Sequence, residues 1–247
     1  MKVRHIFSMV FLVFTFLGSY SHADNLQTHR YLIEQADKYK YVNNDSTLKL
    51  LHEAYKIVVT SHDTIKLKVL FPLIKAEIRS GDLISAIQNC NVFNNIAKAN
   101  KQSKNQVKGL ILTANVYLVS GLIPESLSFL KEAEILNRAS NSLDIPNEID
   151  INYLMGLSYF NIGDYDQSNF YLKKAIKIGE LEAPVLILGP LLLKSHITSN
   201  IDTIFNLLDK ASEITRNFPE IKYEQLAILS KYARIYKSLG NLKKSRS

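Results

Sequence analysis

From residue 25 onward, apolar positions recur every three or four residues in nearly every segment between turns, and no segment alternates with period two. Leu127, Leu130, Ala133 and Leu136 show the pattern: they step along one side of a helix, with Pro124 at its expected start, where a fixed φ and a missing N–H cost nothing. The spacing predicts an all-α chain.

The pattern also repeats. With the turn inside each helix pair as reference, Val42, Gly81, Gly121, Gly163, Ser199 and Gly240 fall 39, 40, 42, 36 and 41 residues apart, which predicts about six helix-turn-helix units. The clearest unit spans Ile149 to Gly179. Gly156 permits close approach of two helices, Tyr159 fills the next turn, and Gly163 supplies a positive φ. Ser168, Leu172 and Ala175 line the second helix. The same residue types recur at Ala114, Tyr117, Gly121, Ser126, Leu130 and Ala133, and at Ala233, Tyr236, Gly240 and Ser245. Gly81 with Ala86 repeats them more weakly, while Leu208 with Ala211 and Leu51 with Ala54 keep only the second-helix half.

These offsets resemble the tetratricopeptide repeat (TPR), over about residues 25 to 247. The periods exceed the usual ~34 residues of that family, and the turns at Val42 and Ser199 lack glycine. The resemblance implies a right-handed TPR-like superhelical solenoid of about six units with the last incomplete. In that last unit Tyr232, Ile235, Tyr236 and Leu239 are expected to form an uncapped apolar face. Family register places Lys68, Lys75, Arg79, Lys108, Asn115, Tyr153, Leu157, Phe160 and Asn161 along a concave groove, basic at first and aromatic in the middle. The expected partner is therefore a protein or peptide of acidic character. Long-period repeats of this kind also look like the exported sensor regions of bacterial diguanylate cyclases and histidine kinases. The alternative reading is thus a truncated or split periplasmic sensor region.

Residues 1–23 carry a separate message. Lys2 and Arg4 precede a charge-free, mostly apolar run from Ile6 to Gly18, and Ser21-His22-Ala23 offers small residues for cleavage after Ala23. The run is shorter than the ~20 residues needed to span a bilayer. The expectation is a signal peptide over 1–23, a repeat domain over 24–247, and a periplasmic or secreted protein that meets a membrane only if the signal stays uncleaved. The apolar stretch Ala183 to Leu193, broken by Gly189-Pro190, reads as a buried helix.

Charge and chemistry add little to this picture. Of 247 residues, 30 are Lys or Arg and 23 Asp or Glu. Beyond residue 23 the excess falls to five, scattered as on solvated helix faces, and nucleic acid is not an expected partner. A lone Cys90 cannot form an internal disulfide and reads as a small core residue. Hydrolase, zinc-protease, phosphate-loop and dithiol motifs are absent from the sequence. His29, His52, His62 and His196 lie in different units without metal-ligand spacing, and His62-Asp63 and His52-Glu53 read as solvated neighbours. No enzyme activity and no cofactor are expected.

Overall fold

The computed structural model describes residues 27–40, 42–139, 143–218 and 221–244. The expected signal segment 1–23 and Ser245 lie outside them. The described residues are helical with no strand. In order they form α1 (27–39), α2 (Asn44–Val58), α3 (Asp63–Ser80), α4 (Leu83–Ala99), α5 (Ser103–Val119) and α6 (Ile123–Ala139). There follow α7 (Ile145–Asn161), α8 (Tyr165–Glu182), a 3-10 turn (Pro184–Ile187), α9 (Leu188–Ile197), α10 (Ile201–Asn217) and α11 (Lys222–Lys244). The chain divides into two compact units at Asn100/Lys101.

Unit 1 holds the hairpins α1/α2 and α3/α4. Ala36, Leu51, Leu73 and Ala76 from α1, α2 and α3 form one apolar cluster, and Ala54, Val58 and Val69 another. Unit 2 holds α5/α6, α7/α8, α9/α10 and α11. Leu130, Ala133, Ile151 and Met155 centre a cluster drawn from α5, α6 and α7, against which Leu127 and Leu136 also pack. Ile187, Leu188, Leu191, Leu208 and Ala211 centre the next, between the 3-10 turn, α9 and α10. Removing one Leu side chain of this kind from water is worth about 1.5–3 kcal/mol, so these clusters, which join helices of adjacent hairpins within each unit, help hold those hairpins together.

The turns explain the repeat. Gly81, Gly121 and Gly163 have φ of +80°, +78° and +80°. After each, the next residue's N–H reaches back to a carbonyl in the last turn of the preceding helix: Asp82 to Glu77, Leu122 to Tyr117, Asp164 to Tyr159. This arrangement ties off orphan carbonyls and needs a residue without Cβ. Asp82 and Asp164 then accept from the N–H groups of Ser85 and Gln167, starting the second helix at once. Where glycine is missing, Asn43 and Asn200 cap α2 and α10 through Ser46 and Thr203.

Gly240 departs from expectation, because α11 runs straight through it to Lys244. Glycine permits a left-handed turn without compelling one. Inside a helix it costs only about 1 kcal/mol, and among the described residues no helix folds back on α11 to offset the lost hydrogen bonds. The apolar face of α11 also differs. Tyr232 and Ile235 pack against the α9/α10 cluster, whereas Tyr236 is exposed together with Leu226 and Leu229. The side chain of Leu239 lies outside the described residues. Ala183–Leu193 forms the 3-10 turn and the start of α9, with Leu188, Pro190, Leu191 and Leu193 buried. No helix among the described residues is long and apolar enough to cross a membrane.

Candidate binding surfaces

In unit 1, helices α1, α2 and α3 enclose a groove of about 560 Å³. Ala36 and Leu51, both 2% exposed, are part of its floor and belong to the apolar cluster behind it. Phe71, Pro72, Lys75 and Arg79 enter from α3, spaced so that they share one side of that helix. Pro72 lies inside α3 and lacks the N–H that would otherwise bond to the carbonyl of Lys68. From α1 and the turn after it come Ile33, Glu34, Asp37, Lys38 and Lys40.

Four cations and two carboxylates therefore line an apolar floor. Lys40 pairs with Asp37 at 2.9 Å, and Lys38 donates to Gln35 at 3.3 Å. The Lys75 ammonium sits 5.2 Å from the centroid of the Phe71 ring, a cation–π placement that holds the charge beside the groove. Of the basic residues that sequence register assigned to this region, Lys75 and Arg79 line the groove. Lys68 is exposed on α3 outside it.

The unit 2 candidates divide. Lys108 and Asn115 are half-buried on α5. Tyr153 and Leu157 pack against the α5–α7 cluster. Tyr153 also closes over Gly189, where a Cβ would come 3.0 Å from its ring, and burial raises its hydroxyl above the ordinary tyrosine range. Phe160 tilts against Tyr165 with centroids 5.8 Å apart, and Asn161 is exposed at the end of α7. Sequence register placed only α3 residues at the unit 1 groove and overlooked the α1 contribution, which depends on how the first hairpin packs against α3.

The groups considered for catalysis have structural places. His62 is the N-cap of α3 and its Nδ1 accepts from the Thr64 N–H at 3.3 Å. Asp63 beside it is held below the usual carboxylate range by hydrogen bonds from Asn100 and Lys66. His52 is exposed on α2, His29 is buried on α1, and Cys90 is fully buried on α4. Among the described residues no three His, Cys, Asp or Glu side chains gather as a metal ion would require.

The tetratricopeptide repeat family profile matches residues 149–178, the α7/α8 hairpin. No curated protein matches the sequence. Among solved structures, NprR in complex with its cognate peptide NprX superposes with a TM-score of 0.71 at 13% identity, over 89% of this chain and 64% of that one. Aspartyl phosphate phosphatase F from Bacillus subtilis gives 0.60 at 15%, over 83% and 60%. A thermophilic TPR protein from Thermus thermophilus gives 0.56 at 18%, over 83% and 99%. The chain thus spans less than two thirds of NprR and of the phosphatase. With hairpin after hairpin built on the same turn, one of them matched by sequence, the chain has a TPR-like helical-repeat fold.

Proposed function

We propose that this chain is an exported, non-catalytic scaffold that binds a protein or peptide partner, and that an acidic segment of the partner seats in the unit 1 groove. The observation that carries the reading is the placement of Lys75 and Arg79 beside an apolar floor made by Ala36, Leu51 and Phe71. Such a surface suits a chain bearing carboxylates and an apolar side chain, since charges at the rim steer and orient while the floor supplies burial. The likeness to NprR, crystallised with a peptide, supports a peptide partner. Export rests on the signal-like residues 1–23.

Fluorescence anisotropy with labelled decapeptide pools tests the proposal. A pool rich in Asp, Glu, Leu and Phe should bind, and its Lys-substituted counterpart should not. Replacing Lys75 and Arg79 with Glu should weaken the acidic pool at least tenfold, about 1.4 kcal/mol, with thermal unfolding nearly unchanged. Equal binding by wild type and variant, or equal binding of both pools, removes the basic groove as the recognition surface.

A further inference from the structure

We propose that α9 and α11 build a second, independent site in unit 2, in which His196, Lys231 and Arg234 hold a doubly charged oxoanion of the phosphate class. These three residues and Ile235 line a cavity of about 260 Å³. His196 comes from the last turn of α9. Lys231 and Arg234, three apart on α11, project from adjacent turns of one face.

Among the described residues the lining holds no carboxylate. The charges that act on His196 are those of Lys231 and Arg234, and the charge that acts on Lys231 is that of Arg234. Burial and this mutual repulsion push Lys231 down to about 8 and lower His196. Two other half-buried lysines of unit 2 have carboxylate partners: Lys174 lies 3.1 Å from Glu134 and 3.4 Å from Glu148, and Lys210 pairs with Glu180. Half-buried Lys231 beside the exposed His196 and Arg234, with no carboxylate partner among the described residues, makes this surface favourable to an entering anion.

The donor set selects among anions. The Arg234 guanidinium offers two parallel N–H groups, the Lys231 ammonium a point charge, and the His196 ring a further N–H. Three donor groups from two helices suit a tetrahedral dianion with several oxygens. A carboxylate satisfies the arginine fork and leaves the remaining charge uncompensated.

The test uses the purified chain at fixed ionic strength, with chloride as the balancing salt. Isothermal titration with inorganic phosphate should show saturable binding, and acetate should bind at least tenfold more weakly. The variant K231Q/R234Q should lose phosphate affinity at least thirtyfold. Without phosphate it should unfold at the same or a higher temperature than wild type, because the substitutions relieve repulsion, so a folding defect cannot mimic the loss. Glycerol 3-phosphate identifies the source: tighter binding than inorganic phosphate marks a phosphate monoester, and equal binding marks the free anion. The K75E/R79E variant should keep full phosphate affinity, which separates this site from the unit 1 groove. Absence of saturable phosphate binding, equal affinity in K231Q/R234Q, or acetate binding as tightly as phosphate overturns the proposal.

Discussion

In hairpin α7/α8, Tyr159 lies four residues before the turn glycine and stacks on Tyr171, eight residues after it, with ring centroids 5.5 Å apart. Hairpin α5/α6 repeats the stack with Tyr117 and Phe129 at 5.3 Å. Hairpin α3/α4 keeps the glycine and puts Glu77 and Asn89 in those two places, joined by a hydrogen bond from the Asn89 amide to Glu77 Oε1 at 2.8 Å. A second pair of positions, seven before and nine after the glycine, changes in step. It reads Gly156 and Leu172 in α7/α8, Ala114 and Leu130 in α5/α6, and Ile74 and Cys90 in α3/α4, all buried. A large residue on one helix goes with a small one on the other, as close packing at fixed volume requires. In these three hairpins the turn is thus constant, while the side chains behind it are exchanged in matched sets.

The volume exchange gives the largest expected effect. A Cβ on Gly156 would stand 2.9 Å from Leu172 Cγ and 3.3 Å from the Ser168 carbonyl, whose own hydroxyl donates to the Gly156 carbonyl at 2.7 Å. Gly156→Ile should therefore cost about 3 kcal/mol by overpacking. Adding Leu172→Cys, which installs the α3/α4 pair in α7/α8, should return at least ~1 kcal/mol as a coupling energy in urea unfolding. A double variant whose loss equals the sum of the losses in G156I and L172C would mean that the two positions are not exchanged as a set.

The polar pair gives the next effect. Glu77 is fully buried, its Oε2 has no hydrogen-bond partner among the described residues, and burial pushes its carboxyl up to about 7, assisted by the charge of Asp82 and opposed by the bond from Asn89. The folded state holds this proton more tightly than the unfolded state does. Its stabilisation is therefore complete below the ordinary glutamate range near 4.5 and is lost as pH rises through about 7. Between pH 5 and pH 8 the wild type should lose on the order of 1–3 kcal/mol that Glu77→Gln does not lose, since the amide stays neutral. Parallel pH profiles for the two proteins would show that Glu77 is solvated after all.

What the chain disclosed before folding follows the same division. The three glycine turns were legible because a positive φ restricts the residue type. Gly240 misled because the converse fails: glycine is tolerated within a helix such as α11. The burial of Glu77 left no trace, as a single glutamate at a helical spacing reads as solvated until its partner, twelve residues away across a turn, is known. At the candidate sites, register along α3 brought Lys75 and Arg79 to the groove. It could not reveal that Tyr153 folds over Gly189, nor that α9 and α11 bring His196 to Lys231 and Arg234, because these depend on contacts between hairpins.

The shared turn should cost the same wherever it is broken. Gly81 and Gly163 have equal φ and nothing within 4 Å of a prospective Cβ, so only backbone strain opposes a side chain. Gly81→Ala and Gly163→Ala should each lose about 1–2 kcal/mol in thermal unfolding, and the two losses should agree. A markedly smaller loss at Gly81 would show that the polar pair had relaxed the turn in α3/α4.

The smallest effect separates the glycine from the cap beside it. Asp164 follows Gly163, whereas Asn200 caps α10 after a turn with no glycine, and each accepts from an N–H three residues on, at 3.0 Å and 2.8 Å. Asp164→Ala and Asn200→Ala should each cost about 1 kcal/mol, and Asn200→Gly only a few tenths. If both alanine losses match, the cap serves the second helix equally with or without glycine before it, and the turn at Ser199 differs from that at Gly163 only in the path by which the chain reaches its cap. A much larger loss at Asn200 would mean instead that the cap alone holds the α9/α10 turn closed.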